Sequence, residues 1–274
     1  MAGIICAIAN HKGGVGKSTV AVNLGTALAI QKRRVLVIDN DPQSNASGIL
    51  LPSTTRTVNT VYELLDPKPT YQRPAVDDCI YLSKHRGLYV LPNVEDTSTL
   101  EIGWVEKFPE SVGYLRNAIR DHATINFDFT FIDCPPTLSL FVLNAFHAAD
   151  CVIVPVDARS AYSLDGLKKV LGLIKDVQTN GNQDLKFLRL LINQVDRRTS
   201  IAGVIMDELT ERFGPDQVFD QSIPVNTAFQ KAEYMKASIF EFDAKSRGAG
   251  AYRKLAREFL KIFQPYEKLF SGKG

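Results

Sequence analysis

The stretch that most restricts this chain's fold is residues 8–24, IANHKGGVGKSTVAVNL. An apolar run ends there in three glycines and two lysines within six positions, and a helical pattern follows. Backbone freedom between a strand and a helix has a physical use. A phosphate chain lies well against a loop of N–H groups leading into a helix N-terminus, where the amides point at the anion and the helix dipole favours negative charge. Glycine lets the loop reach φ > 0 and removes the Cβ that would hold the phosphates off. In GVGKST, Lys17 stands where the β- and γ-phosphates would lie, and the Ser18 hydroxyl where Mg²⁺ would bind.

Beyond this loop, apolar runs of strand length alternate with helical patterns, as in a parallel sheet covered on both faces. Strands are expected at 3–9, 34–39, 87–92, 127–133, 151–156 and 187–193. Helices are expected at 17–31, 111–123, 138–148, 162–178, 201–213 and 249–263. Residues 52–86, with prolines at 52, 67, 69 and 74, read as a surface excursion holding one short helix near TVYELL. The fold class is α/β: a P-loop NTPase with a mostly parallel twisted sheet and helices on both faces, one domain across 1–274.

The apolar runs are far shorter than the roughly 20 residues that span a bilayer. GIICAIA lacks the basic leader of a secretory signal. Cys6, Cys79, Cys134 and Cys151 show no CxxC spacing, which suits buried thiols in a reducing cytoplasm rather than a disulfide framework or a zinc site. Charge is uneven: residues 228–274 hold ten Lys/Arg against five Asp/Glu, whereas the rest of the chain carries −3. A basic end is what an anionic partner requires, and equally what a solvated helix face looks like.

The usual P-loop pattern places a glycine at position 11, where this chain has His11. Lys12-Gly13-Gly14-Val15-Gly16-Lys17-Ser18 instead resembles the deviant Walker A motif, KGGxGK[ST], of the ParA/MinD class of P-loop ATPases. That resemblance implies that Lys12 reaches across an ATP-sandwiched homodimer to the partner's phosphates. It also implies a nucleotide site built from Lys12 through Thr19. The segment RVLVIDNDPQSNAS resembles the family's VLLVDxDPQGNAT, which gives Asp41 the hydrolytic water and Asp39 a supporting place near the metal; Ser44 stands where glycine is usual. Asp133 ends a hydrophobic strand in the form of a Walker B, and Asp133-Cys134-Pro135-Pro136 matches the family's D-x-P-P, so Asp133 joins Ser18 as a metal residue.

By the same resemblance Asn193, Pro224, Val225 and Asn226 border the base; an ordinary strand-to-turn amide is the other reading of Asn193. The likeness covers most of the chain and is weakest in 52–125. Val225 replaces an arginine that the family links to non-specific DNA binding. Arg197, Arg198, Lys231, Lys236, Lys245, Arg247, Arg253, Lys254 and Arg257 are candidates for a replacement surface contacting phosphates without sequence preference. The motif begins almost at Met1, as in the short ParA type without an N-terminal helix-turn-helix.

The resemblance thus implies a cytoplasmic, nucleoid-associated ATPase using ATP and Mg²⁺. It would segregate a plasmid, chromosome origin or other cargo through a stimulating, ParB-like adaptor. One alternative is a MinD-like membrane regulator, since YRKLAREFLKIF is basic and amphipathic. Another is an electron carrier like nitrogenase reductase, which would need cysteines bridging an iron–sulfur cluster between subunits.

Overall fold

Along β1 (Ile4–Ile8), Ile5 and Ala7 join one hydrophobic cluster while Cys6 and Ile8 join another. The same alternation recurs in β2 (Val35–Asp39) and β5 (Phe129–Asp133), so both faces of these strands are buried, as a parallel sheet demands. The computed structural model describes residues 2–66, 71–159, 163–196 and 200–270. Its sheet has seven strands in the order β3-β4-β2-β5-β1-β6-β7. The remaining strands are β3 (Tyr81–Leu82), β4 (Leu88–Leu91), β6 (Cys151–Asp157) and β7 (Lys186–Asn193). Only the β3–β4 pairing is antiparallel.

One face is covered by α3 (Val61–Leu65), α4 (Leu100–Glu106), α5 (Tyr114–Asn126), α6 (Leu140–Ala148) and α7 (Ser163–Asn180). The other is covered by α1 (Lys17–Ile30), α10 (Ile239–Asp243) and α11 (Arg247–Phe270). α8 (Ser200–Phe213) joins the first of these faces, and α2 (Asn45–Leu50) and α9 (Thr227–Tyr234) join the second. The six expected strands and six expected helices each find their element. The differences are small: residues 110–113 form a 3₁₀ turn before α5, and the last helix runs on to Phe270.

The apolar side of α11 faces the sheet. Tyr252, Leu255, Ala256, Phe259 and Phe263 are buried, with Phe259 lying 5.2 Å from the Phe129 ring and 5.6 Å from the Phe131 ring. Its amphipathic pattern is therefore used in the core, and the face left to solvent is the charged one. No helix among the described residues is long and apolar enough to cross a membrane.

Parallel register brings distant motifs to one edge. Asp133 at the end of β5 pairs with Ile8 at the end of β1 and with Asp39 at the end of β2. The glycine loop, the Asp39–Asp41 turn and the Asp133 turn thus emerge side by side. This is the crevice beyond the carboxyl ends of the strands where open α/β sheets bind ligands.

Candidate nucleotide-binding site

The loop from β1 to α1 is held in shape by its own side chains and the backbone of β6. Asn10 donates its side-chain amide to the Pro155 carbonyl of β6 at 2.6 Å, and its oxygen accepts the Lys12 N–H at 3.1 Å. Gly14 and Gly16 have φ of 73° and 86°, the left-handed conformation for which glycine was expected. Gly16 also lies so close to Asn193 that a Cβ would fall 2.5 Å from that side chain's nitrogen. Lys17 opens α1; it is buried, and its ammonium donates to the Lys12 carbonyl at 3.3 Å. Burial lowers its pKa, against the pull of the Asp133 charge.

Asp133 is wholly buried, and apart from the Ser18 hydroxyl beside it neither carboxylate oxygen has a hydrogen-bond partner. Desolvation pushes its pKa well up and the negative charge of Asp39 adds to the rise, while the Ser18 hydroxyl and the Lys17 ammonium oppose it. A divalent cation fits this place. It would satisfy an orphaned carboxylate beside a serine hydroxyl, and Mg²⁺ takes one or two carboxylates with phosphate and water completing its shell. Among the described residues no cluster of three or more His, Cys, Asp or Glu is placed to hold a metal ion.

Asp39 is committed differently. One oxygen accepts both the Ser47 N–H and hydroxyl, at 2.7 and 2.6 Å, and the other accepts the Asp41 N–H at 3.3 Å. Its pKa rises to about 6, mainly through burial. Asp39 therefore anchors α2 and the following turn from behind. Asp41 lines the cleft, one oxygen accepting the Gln43 N–H at 3.0 Å.

The cleft encloses about 760 Å³, lined by the loop glycines, Lys17, Ser18 and Thr19 on one side and Ile223 to Thr227 with Phe229 on the other. A bridge between Val195 and Pro224 ties the two walls, and Asn226 caps α9 by accepting the Ala228 N–H at 2.9 Å. Val15 faces the core, so only its backbone serves the loop. Asn193 also lines the cleft; its amide donates to the Val15 carbonyl at 2.7 Å and its oxygen accepts the Gln194 N–H at 2.9 Å, so the side chain braces the glycine loop. Sequence reasoning overlooked Gln194, which donates to the Gly14 carbonyl at 2.6 Å, and Arg159 at the mouth. Neither sits in a motif; Arg159 follows Asp157, which it binds at 3.0 Å.

Three comparisons bear on this geometry. The family model described as "AAA domain" matches residues 3–187. The chromosome partitioning protein ParA of Myxococcus xanthus is 36% identical over 263 residues, covering 96% of this chain and 89% of that protein. The sporulation initiation inhibitor protein Soj of Bacillus subtilis is 36% identical over 256 residues, covering 93% and 98%. The chain belongs to the ParA family of P-loop ATPases. Among solved structures, the Mycobacterium smegmatis cobyrinic acid a,c-diamide synthase with bound ADP and magnesium superimposes with a TM-score of 0.80 at 29% identity, over 96% of each chain. The cell division ATPase MinD of Pyrococcus furiosus gives 0.74 at 25% identity, over 95% of this chain and 99% of that one.

Within this family, Ser44 has a readable consequence. Its φ is 58°, left-handed, at the N-cap of α2. That geometry suits the glycine usual in the family and strains a residue with a Cβ by roughly 1–2 kcal/mol. Glycine loses some of this through its freer unfolded chain, roughly 0.5–1 kcal/mol. Ser44→Gly should therefore stabilise the protein slightly, by about 0.5 kcal/mol, in a urea melt. A clear loss of stability would show that the Ser44 hydroxyl, which donates to the Pro42 carbonyl at 3.2 Å, outweighs the strain.

The described basic candidates are distributed over α9, the turns on either side of α10, and α11. Arg247, Lys254 and Arg257 are exposed and Arg253 half-buried on the solvent side of α11, where Arg253 lies 5.1 Å over the Phe240 ring. Lys231 and Lys245 are exposed on α9 and in the turn before α11, whereas Lys236 lines the nucleotide cleft. Arg197 and Arg198 lie outside the described residues. Val225, in the family's arginine position, is 43% exposed. All four cysteines are buried, so Cys134 and Cys151 are not presented to a second subunit.

Proposed function

We propose that residues 1–274 form one ATPase domain that binds and hydrolyses ATP with Mg²⁺. In this reading it dimerises around the nucleotide, holds non-specific DNA on its basic side, and positions a cargo through a ParB-like stimulating adaptor. The observation that carries the reading is the meeting of a buried Asp133 with Ser18 and Lys17 at the glycine loop. Phosphoryl transfer is mostly positioning and electrostatics, which is what such a site offers.

Each residue then has a task at a stated atom. The loop amides and the α1 N-terminus cradle the phosphates. Lys17 exchanges the Lys12 carbonyl for phosphate oxygens. Ser18 and Asp133 would hold Mg²⁺, which would supply positive charge against the phosphates. Asp41 orients water, using the oxygen not bound to Gln43. Lys12 supplies a cation to the partner's phosphates, so ATP and the dimer depend on each other. Asp41→Ala should bind ATP normally, turn over slowly and accumulate as a dimer. Unchanged turnover would remove Asp41 from the reaction.

The deciding experiment pairs light scattering with a DNA mobility shift, each with ADP and with ATP. Pairing two protomers doubles the phosphate contacts, and log K for duplex DNA falls with log salt by about 0.9 per contact. DNA binding should then require ATP, ignore sequence and collapse with salt. Lys12→Ala should lose both dimer and DNA, while charge reversal at Arg253, Lys254 and Arg257 should lose DNA alone. A Lys12→Ala protein that still dimerises and binds DNA on ATP would break the link. Wild type that ignores DNA but sediments with anionic liposomes would favour a membrane role.

A further inference from the structure

On the face of the sheet opposite α1 and α11, α4 and the turn after it carry a row of apolar side chains in solvent. Ile102, Val105 and Phe108 are 73%, 64% and 60% exposed, and their spacing puts Ile102 and Val105 on one helix face with Phe108 next along. The row stands on a fixed floor. Trp104 beneath it is fully buried, 4.7 Å from the Phe141 ring, and the Ser111 hydroxyl donates to its carbonyl at 2.7 Å. Contiguous exposed apolar side chains on a rigid element mark a contact surface rather than scattered surface residues.

The rim says what kind of partner fits. Residues 95–110 hold five carboxylates and one lysine, and Glu95, Asp96, Glu106 and Glu110 are exposed. An acidic rim repels nucleic acid and anionic lipid. It attracts a cationic segment, and an apolar row along a helix matches the apolar stripe of a second helix. The occupant is therefore a basic amphipathic helix.

The floor also leads to the nucleotide. Glu101 accepts the Leu140 N–H at 2.8 Å, fixing the first turn of α6. Phe141, which Trp104 touches, gives its carbonyl to the Asn40 amide at 2.8 Å. Asn40 sits between Asp39 and Asp41, and its own N–H reaches the Asp133 carbonyl at 2.9 Å. A helix seated on α4 thus bears on the turn that carries Asp41 through two side-chain contacts.

The geometry points to α4 as the docking site of a cationic amphipathic helix from a partner protein, which changes turnover through the first turn of α6. The regulatory half rests on the ATPase reading above; the docking half does not.

The test uses a fluorescein-labelled amphipathic helix of leucine and lysine, with a control in which glutamate replaces every lysine. Fluorescence anisotropy should show the lysine peptide binding the full chain, more weakly as salt rises. Binding should drop about tenfold or more in Val105→Lys, as for a central apolar contact. Ile102→Ser, a milder change at an exposed position, guards against misfolding and should weaken binding in the same direction. No binding by wild type, equal binding by the variants, or equal binding of the glutamate peptide would overturn the docking site. Light scattering gives the remaining arm: if Val105→Lys lowers the mass of the wild-type particle, a second copy covers this face and the proposal falls. Saturating lysine peptide should change ATP turnover in wild type and leave it unchanged in Val105→Lys. Unaltered wild-type turnover would overturn the regulatory half. Absence of any basal turnover would count against the ATPase reading, and the anisotropy result would still decide the docking site.

Discussion

Lys17→Ala should lose ATP affinity by a hundredfold or more. In the free protein the Lys17 ammonium is buried and held by a single neutral acceptor, the Lys12 carbonyl, at 3.3 Å. A phosphate chain offers charged acceptors in its place. One hydrogen bond to a charged group contributes roughly 1.5–3 kcal/mol, so bonds to both the β- and γ-phosphates correspond to at least about two orders of magnitude in Kd. Arginine should not rescue the site, because its planar fork does not reproduce the compact point charge of an ammonium. Calorimetric titration of ATP into the variant, with a thermal melt to show that it folds, decides the matter. ATP affinity equal to wild type in a folded Lys17→Ala protein would falsify the loop assignment.

A second large effect runs in the unusual direction: removing a site residue should stabilise the fold. Asp133 is buried with only the Ser18 hydroxyl beside it and its pKa is raised by desolvation, while burial raises that of neighbouring Asp39 to about 6. A carboxyl whose folded pKa lies above its unfolded value contributes stability that is complete below the ordinary value near 4. That stability is lost as pH rises through the folded value. Free of metal and nucleotide, the protein should therefore lose stability steadily from about pH 4 through pH 6 and beyond. For Asp39, raised to about 6, the change is on the order of 3 kcal/mol, or roughly 6–10 °C in Tm for a chain of this size, and Asp133 shifts in the same direction. Asp133→Asn removes the charge. In EDTA at pH 8 its Tm should exceed that of wild type by several degrees, and added Mg²⁺ should no longer raise it. Wild type should recover that deficit with Mg²⁺ and nucleotide together. A Tm independent of pH, or a less stable Asp133→Asn in EDTA, would mean that Asp133 is satisfied within the protein and is not waiting for a cation.

Much of this site could be read along the chain because its signals are local. A left-handed turn needs glycine at the turn itself, so Gly14 and Gly16 announce the loop, and the lysine and serine that follow are fixed by α1 starting there. Each strand of the sheet, β3 apart, likewise announces itself by a short run that is apolar on both faces. Local patterns failed where elements are short. The two residues of β3 pair only because β4 lies alongside, and α2, α9 and α10 hold too few residues for a helical period to show. Ser44 looked like a mild departure until its φ of 58° gave the reason that glycine is usual there.

Only the tertiary structure decided what each polar group does. Asp39, Asp41 and Asp133 are equivalent as letters at strand ends. Parallel register sets Asp39 against Asp133, and packing then separates them, giving Asp39 the hydrogen bonds of Ser47 and leaving Asp133 only the Ser18 hydroxyl beside it. The place of Asn193 in the chain says nothing of its bond to the Val15 carbonyl at 2.7 Å, which only the packing of β7 beside the loop creates. The basic terminal helix could have faced lipid or core, and its apolar side was settled by Phe129 and Phe131 on the neighbouring strand. The sequence alone determined which residues could meet a phosphate, because backbone conformation and helix starts are dictated by neighbours in the chain. Burial and partners depend on which strands lie side by side, so the fate of each charge was decided by long-range packing.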